Sequence, residues 1–144
     1  MTQAPAASHL LALSIVAPRG SDIAGGRKTL ELRSWRPEQL PLRDLLIVEN
    51  HNYLTEAGAA DPDGRAVAFV DIIEVRPWLE EDLAAACARE WSPGYWAWVL
   101  SRVRPVANGV EVAAERRLYR PVIAPASLAA VLDARAGSCL HGDR

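Results

Sequence analysis

Lysine is almost missing from this sequence: of its 16 basic residues only Lys28 is not an arginine. Arginine elsewhere reflects composition. A lone lysine among arginines marks a place for a compact ammonium, a point charge that a planar guanidinium does not replace. Cysteine is scarce as well. Cys87 and Cys139 are the two thiols, and their wide separation excludes a disulfide framework or a cysteine metal site. His9, His51 and His141 lie far apart with no ligand spacing around them, so no metal and no cofactor is expected. No apolar run approaches the roughly 18–20 residues that a membrane span needs. No basic residue precedes the first apolar stretch in Met1–His9, so no secretory signal is expected and the expected location is cytoplasmic. Repeats, low-complexity tracts and linkers are absent.

A general excess of positive charge is missing too. The net charge is −2, against the basic balance usual for a generic nucleic-acid binder. Its distribution is uneven. Residues 19–43 carry six cations and three anions, for +3; residues 44–99 carry three and eleven, for −8; residues 100–144 carry seven and four, for +3. A nucleic acid would be held only locally, and only if the two basic ends meet in space.

The 144 residues suit one domain, half of them hydrophobic and a quarter charged. Leu10–Val16 reads as a first strand ended by Pro18, followed by a very short helix capped by Ser21 or Asp22 and closed by Gly25-Gly26. Thr29–Trp35 alternates with period two, Leu30 and Leu32 on one face and Thr29, Glu31, Arg33 and Trp35 on the other. Leu45–Val48 reads as a short apolar strand, residues 50–64 as a polar loop, and residues 65–76 as a long strand with a bulge near Asp71-Ile72. Residues 79–90, rich in alanine with acids in the first turn, predict a helix. A second helix is expected from Ser92 (N-cap) and Pro93 (first helical position) through Leu100. Strands are expected near 102–107, 109–114 and 117–123, with Asn108-Gly109 as a tight hairpin turn. A last helix is expected over about 125–135. The fold class is α+β: a small mixed β-barrel of about five to seven strands with short peripheral helices.

Three groups of residues suggest chemistry. On the face of Thr29–Trp35, Glu31, Arg33 and Trp35 beside Lys28 suit a partly covered polar cleft. There the ring stacks on a base, arginine pairs with a phosphate and Glu31 accepts from an exocyclic amine. Trp91, Tyr95 and Trp98 would share one face of the second helix, a pattern more typical of core than of a ligand platform. The N–H groups after Ser92 would face a phosphate, although Pro93 removes one donor. Asp71, inside an apolar strand, needs a partner, for which Lys28 or an arginine of the first group would serve.

These residues bring a family into view. Gly26-Arg27-Lys28-Thr29-Leu30-Glu31-Leu32-Arg33 resembles the G-x-K-x-x-E-x-R signature of the ASCH family, in the PUA-like superfamily. Ser14-Ile15 with Pro18, the apolar stretch Ala66–Pro77, the segment Ser92–Leu100 and Val103–Val106 resemble its flanking features, so that the resemblance covers roughly residues 10–123. It implies a PUA-like barrel over 10–123; outside it, the residues themselves predict an extended or disordered 1–9, a C-terminal helix at 124–136 and a flexible tail at 137–144. It also implies a cleft where Lys28, Glu31 and Arg33 converge, and single-stranded RNA or a modified nucleoside as partner; the composition adds that no membrane and no obligate metal are expected. Two features depart from the family pattern. Arg19 or Gly20 stands where relatives often carry an aromatic. Glu31 stands where the acetylcytidine amidohydrolase branch keeps a threonine nucleophile, so that mechanism is not implied.

The expected function is therefore RNA or nucleoside binding. Arg33 and Arg36 would meet phosphates, Glu31 a base edge, and Trp35 or Tyr95 a base face, with Asp71 and Ser92 as further ligand contacts. The alternative is a hydrolase, a ribonuclease or nucleoside amidohydrolase, with Lys28 as base or oxyanion stabiliser and Glu31 orienting water. A third reading is a protein-interaction module whose surface is the acidic segment 79–90.

Overall fold

The computed structural model describes residues 9–137. Its main sheet has six strands in the order β2-β6-β5-β3-β1-β8 and curls into a half-barrel. In chain order the elements are β1 (Leu11–Val16), α1 (Arg19–Ala24), β2 (Leu30–Arg33), β3 (Leu42–Asn50), β4 (Ala60–Asp61), β5 (Arg65–Pro77), β6 (Trp96–Glu111), β7 (Ala114–Glu115), β8 (Leu118–Tyr119) and α2 (Pro125–Arg135). β4 and β7 form a separate two-stranded ribbon. Among the described residues, only β1 and β3 run parallel. A parallel pair needs a crossover of a dozen residues or more, and α1, β2 and the loop after β2 supply it.

Both faces of the sheet are covered, which explains the apolar run Leu45–Val48. Side chains of β3 and β5 alternate between two cores. Leu46, Val48 and Phe69 pack on one side against Tyr119 and the α2 residue Val131. Leu45, Ile47, Val70 and Ile72 pack on the other against Ile23 of α1 and Trp98. Helix α1 lies close on β3 because position 20 is glycine: a Cβ there would stand 2.8 Å from Glu49 Cβ. The Glu49 carboxylate then accepts from the Ser21 N–H at 2.6 Å and from its hydroxyl at 2.9 Å. Ser21 thus ties the helix to the sheet, and neither Ser21 nor Asp22 acts as the expected cap; Pro18 occupies that position with no side-chain cap.

Further expectations are corrected. Residues 79–90 form a single 3₁₀ turn at Glu80–Asp82 and irregular turns after it. Their carbonyls are drawn outward: Ala85 O accepts from the N–H groups of Thr29 and Leu30, and Cys87 takes φ 55°. Trp78 and Ala86 bury against Leu30 and Ala97 in a third, smaller core. The helix expected at 92–100 is a turn at Ser92–Tyr95, with Gly94 at φ 93°, leading into β6. Alternating aromatic and aliphatic residues favour a strand when two neighbours wait for it, and Trp96–Val99 pairs with both β2 and β5. The hairpin expected at Asn108-Gly109 is absent. Strand β6 runs through those residues because thirteen-residue β5 gives it a partner along its length, with three register shifts. The strand expected at 117–123 contracts to Leu118–Tyr119. The bulge expected near Asp71-Ile72 corresponds to register shifts on either side of that pair. The expected unstructured ends lie, except for His9 and Gly137, outside the described residues.

Candidate nucleotide-binding cavity

Strand β2 lies at the sheet edge, with Leu30 and Leu32 packed into the third core. Period-two geometry therefore turns Glu31, Arg33 and the following Trp35 to the opposite side. That side opens on a cavity of about 560 Å³, within the range of small-ligand sites. Its wall comes from β1 (Ser14), the turn into α1 (Arg19), β2 (Glu31, Arg33), Trp35, the loop after β3 (Asn50, Asn52, Tyr53), Tyr95, and the β7–β8 turn (Arg116, Arg117).

A chain of polar contacts forms its floor. Lys28, 4% exposed, donates from Nζ to Leu30 O at 2.7 Å and Ala86 O at 2.8 Å, and its ammonium lies 3.4 Å from Glu31 Oε1. Glu31 Oε2 accepts from Arg33 Nε at 2.7 Å. Arg33 donates from Nη2 to Ser14 O at 2.9 Å. The Ser14 hydroxyl donates to Tyr119 Oη at 3.2 Å, and that phenol donates to Ala113 O at 2.9 Å. Burial pushes the Tyr119 phenol up to about 12. Buried charges are tolerable only when paired and hydrogen-bonded, and both oxygens of Glu31 are engaged.

Aromatic groups stand above this floor. Trp35 meets the fully buried Trp98 edge to face, with ring centroids 5.0 Å apart, an arrangement worth about 0.5–1.5 kcal/mol beyond burial. The Arg117 guanidinium lies over the Trp35 ring at 4.5 Å. Tyr95 and Tyr53 are exposed at the rim. The loop carrying Tyr53 is tied down by Asp61, which accepts from Asn52 Nδ2 at 3.0 Å and from the Asp63 N–H at 2.9 Å. Those hydrogen bonds hold the Asp61 carboxyl below the usual carboxylate range.

Of the residues singled out in the sequence, Glu31, Arg33, Trp35 and Tyr95 line the cavity. Lys28 lies beneath it and supports Glu31. Arg36 lies outside, its guanidinium 4.5 Å from the centre of the Trp96 ring. Ser92 is exposed in a turn outside the lining, and no helix begins there. Asp71 belongs to a different cluster. It pairs with the fully buried Arg104 at 2.8 Å and with Arg43 and Arg102 at 3.4 and 3.3 Å, not with Lys28 or an arginine of the first group. Arg104 also donates to Arg135 O at the end of α2 and pairs with Asp44. Trp91, Tyr95 and Trp98 form no common helical face: Trp98 is core, Trp91 and Tyr95 both pack on Trp78, and Tyr95 also lines the cavity. Asn50, Asn52, Tyr53, Arg116 and Arg117 were not foreseen as wall residues. The only sequence signals were a polar Asn-His-Asn run and two adjacent arginines. The described residues hold no cluster of acidic, histidine or cysteine side chains suited to a metal.

The ASCH domain model matches residues 13–109. The chain belongs to the ASCH domain family. Crystal structures of an ASCH protein from Zymomonas mobilis are similar to it. A serine-to-alanine variant superposes with a TM-score of 0.50 at 13% identity, covering 72% of this chain and 75% of that one. Another crystal structure of the Zymomonas mobilis ASCH protein gives 0.47 at 15% identity, over 86% and 94%. At these identities the likeness is one of fold. No curated protein matches the chain. The ASCH match takes in every wall residue of the cavity except Glu115, Arg116 and Arg117, which follow it in the chain.

Proposed function

We propose that the cavity binds a nucleoside unit, free or within single-stranded RNA. The observation that carries this reading is the convergence of Glu31, Arg33, Trp35 and Tyr95 on one cavity of about 560 Å³. Recognition of unstacked bases calls for an aromatic face, hydrogen-bonding groups for a base edge, and guanidinium groups for phosphate. The wall offers Trp35, Tyr53 and Tyr95 for stacking, Asn50 and Asn52 for edges, and four arginines against two glutamates. Membership of the ASCH domain family supports RNA as the source of that unit.

Binding is favoured over hydrolysis by the state of the floor. An ammonium has three donors, and Lys28 has three acceptors around it. Glu31 has Lys28 on one oxygen and Arg33 on the other. A base or a water-orienting carboxylate needs a free position, and neither group has one. Titration with the four ribonucleosides and a short single-stranded RNA, followed by tryptophan emission, tests the reading. A saturable change is expected; silence up to millimolar concentration contradicts it.

A further inference from the structure

Arg116 and Arg117 form the turn between β7 and β8 and line the cavity. The other two wall arginines are engaged: Arg33 in the floor, and Arg19 with Asp22 at 3.4 Å. Among the described residues, neither Arg116 nor Arg117 makes an ion pair. Arg117 has φ 57°, a left-handed conformation uncommon for a side chain of this kind, and from it the guanidinium reaches over Trp35. Residues held in sparsely populated backbone regions gather at ligand sites. The acids nearby are Glu31, already neutralised by Lys28 and Arg33, and Glu115 on the same wall. The wall therefore keeps an uncommitted excess of guanidinium at one end. One of those groups lies on the ring face where a base would stack, and a base and a guanidinium cannot share it.

We propose that Arg117 has two positions. In the empty cavity it covers Trp35. When ligand enters, the base takes the ring, and Arg117 turns with Arg116 onto a phosphate. Planar guanidinium forks match phosphate oxygens, and an exposed cation–π contact is weak enough to exchange. The ligand class is thereby a nucleoside phosphate, as a monophosphate or a nucleotide of RNA, rather than a bare nucleoside. This proposal rests on the nucleoside-binding reading above.

Calorimetric titration of the full chain with the four ribonucleosides and their 5′- and 3′-monophosphates, at fixed ionic strength, tests it. At least one monophosphate is expected to bind about tenfold or more tightly than its nucleoside. Arg117→Gly suits the positive φ and preserves the turn. It is expected to weaken that monophosphate about tenfold while leaving the nucleoside unchanged or about two- to fivefold tighter, because the ring is uncovered. Arg116→Ala is expected to weaken the monophosphate alone. Equal affinity for nucleoside and monophosphate in the parent, or an equal loss of both in Arg117→Gly, overturns the proposal and leaves nucleoside binding standing. If neither class binds, both fall.

Discussion

At Lys28 one ammonium meets two backbone carbonyls and a carboxylate in a space that excludes water. A guanidinium is too wide for three acceptors at that spacing, which explains why this position keeps lysine in a chain otherwise furnished with arginine. The ammonium joins the edge strand β2 to the segment 79–90 and sets the height of Glu31, which in turn orients Arg33. Removing one partner of a buried ion pair strands the other. Lys28→Met is therefore expected to cost about 3–5 kcal/mol in urea unfolding, with a weaker ligand affinity because Glu31 loses its support. A loss below about 1 kcal/mol would mean that the pair is no strut. The sequence signalled this residue by composition and by its place in the G-x-K-x-x-E-x-R run. Its role beneath the cavity was not legible there, because the third acceptor, Ala86 O, lies 58 residues away.

Among the elements, β2 was legible, while β6 was legible over 102–107 but not at its start or through Asn108-Gly109. Strict alternation over Leu30–Arg33 specifies which side chains face the cavity, and the strand keeps that assignment. Residues 92–100 carry a Ser-Pro start and aromatics at helical spacing, yet β2 and β5 flank the part from Trp96 onward and draw it into a central strand. Pairing partners distant in sequence decide such segments, and local propensity yields to them. The same applies to Asp71. It lies in a bulged part of β5, where its partner is Arg104 of β6, and Arg104 in turn donates to the last turn of α2. This buried cluster fastens α2 to the sheet and lies apart from the cavity. Asp71→Asn is expected to lower stability by about 3–5 kcal/mol in thermal or urea unfolding, with ligand affinity changed by less than about twofold. Lost affinity at unchanged stability would put Asp71 in the binding site after all.

At the scale of the whole molecule, the two basic ends of the chain meet. Pairing of β8 with β1 brings Arg116 and Arg117 to the same wall as Arg19 and Arg33, while the acidic middle contributes Asn50, Asn52, Tyr53 and Tyr95 but no carboxylate. The uneven charge was visible in the sequence, and so was a strand around β8; its closure into one concave surface depends on pairing β8 with β1, about a hundred residues away, which no local pattern announces. Tyr119 on β8 is part of that closure, and its folded-state value of about 12 stands above the ordinary 10.0. The neutral phenol is the form the fold favours. Its contribution is complete below about pH 10 and is lost as pH rises toward 12. An alkaline loss of stability over that interval is expected, and Tyr119→Phe should reduce it, as followed by circular dichroism against pH. An unchanged alkaline profile in that variant would assign the loss to other groups.

The central claim, that a nucleoside unit sits over the Lys28–Glu31–Arg33 floor, is tested most directly by mapping where a short single-stranded RNA touches the isotopically labelled protein by nuclear magnetic resonance. The largest shifts are predicted at the Trp35 indole N–H, the Arg33 side chain, Ser14 and the Asn50–Tyr53 loop. Shifts confined to the Asp71–Arg104 cluster or to the acidic segment 79–90, or none at millimolar RNA, would contradict it.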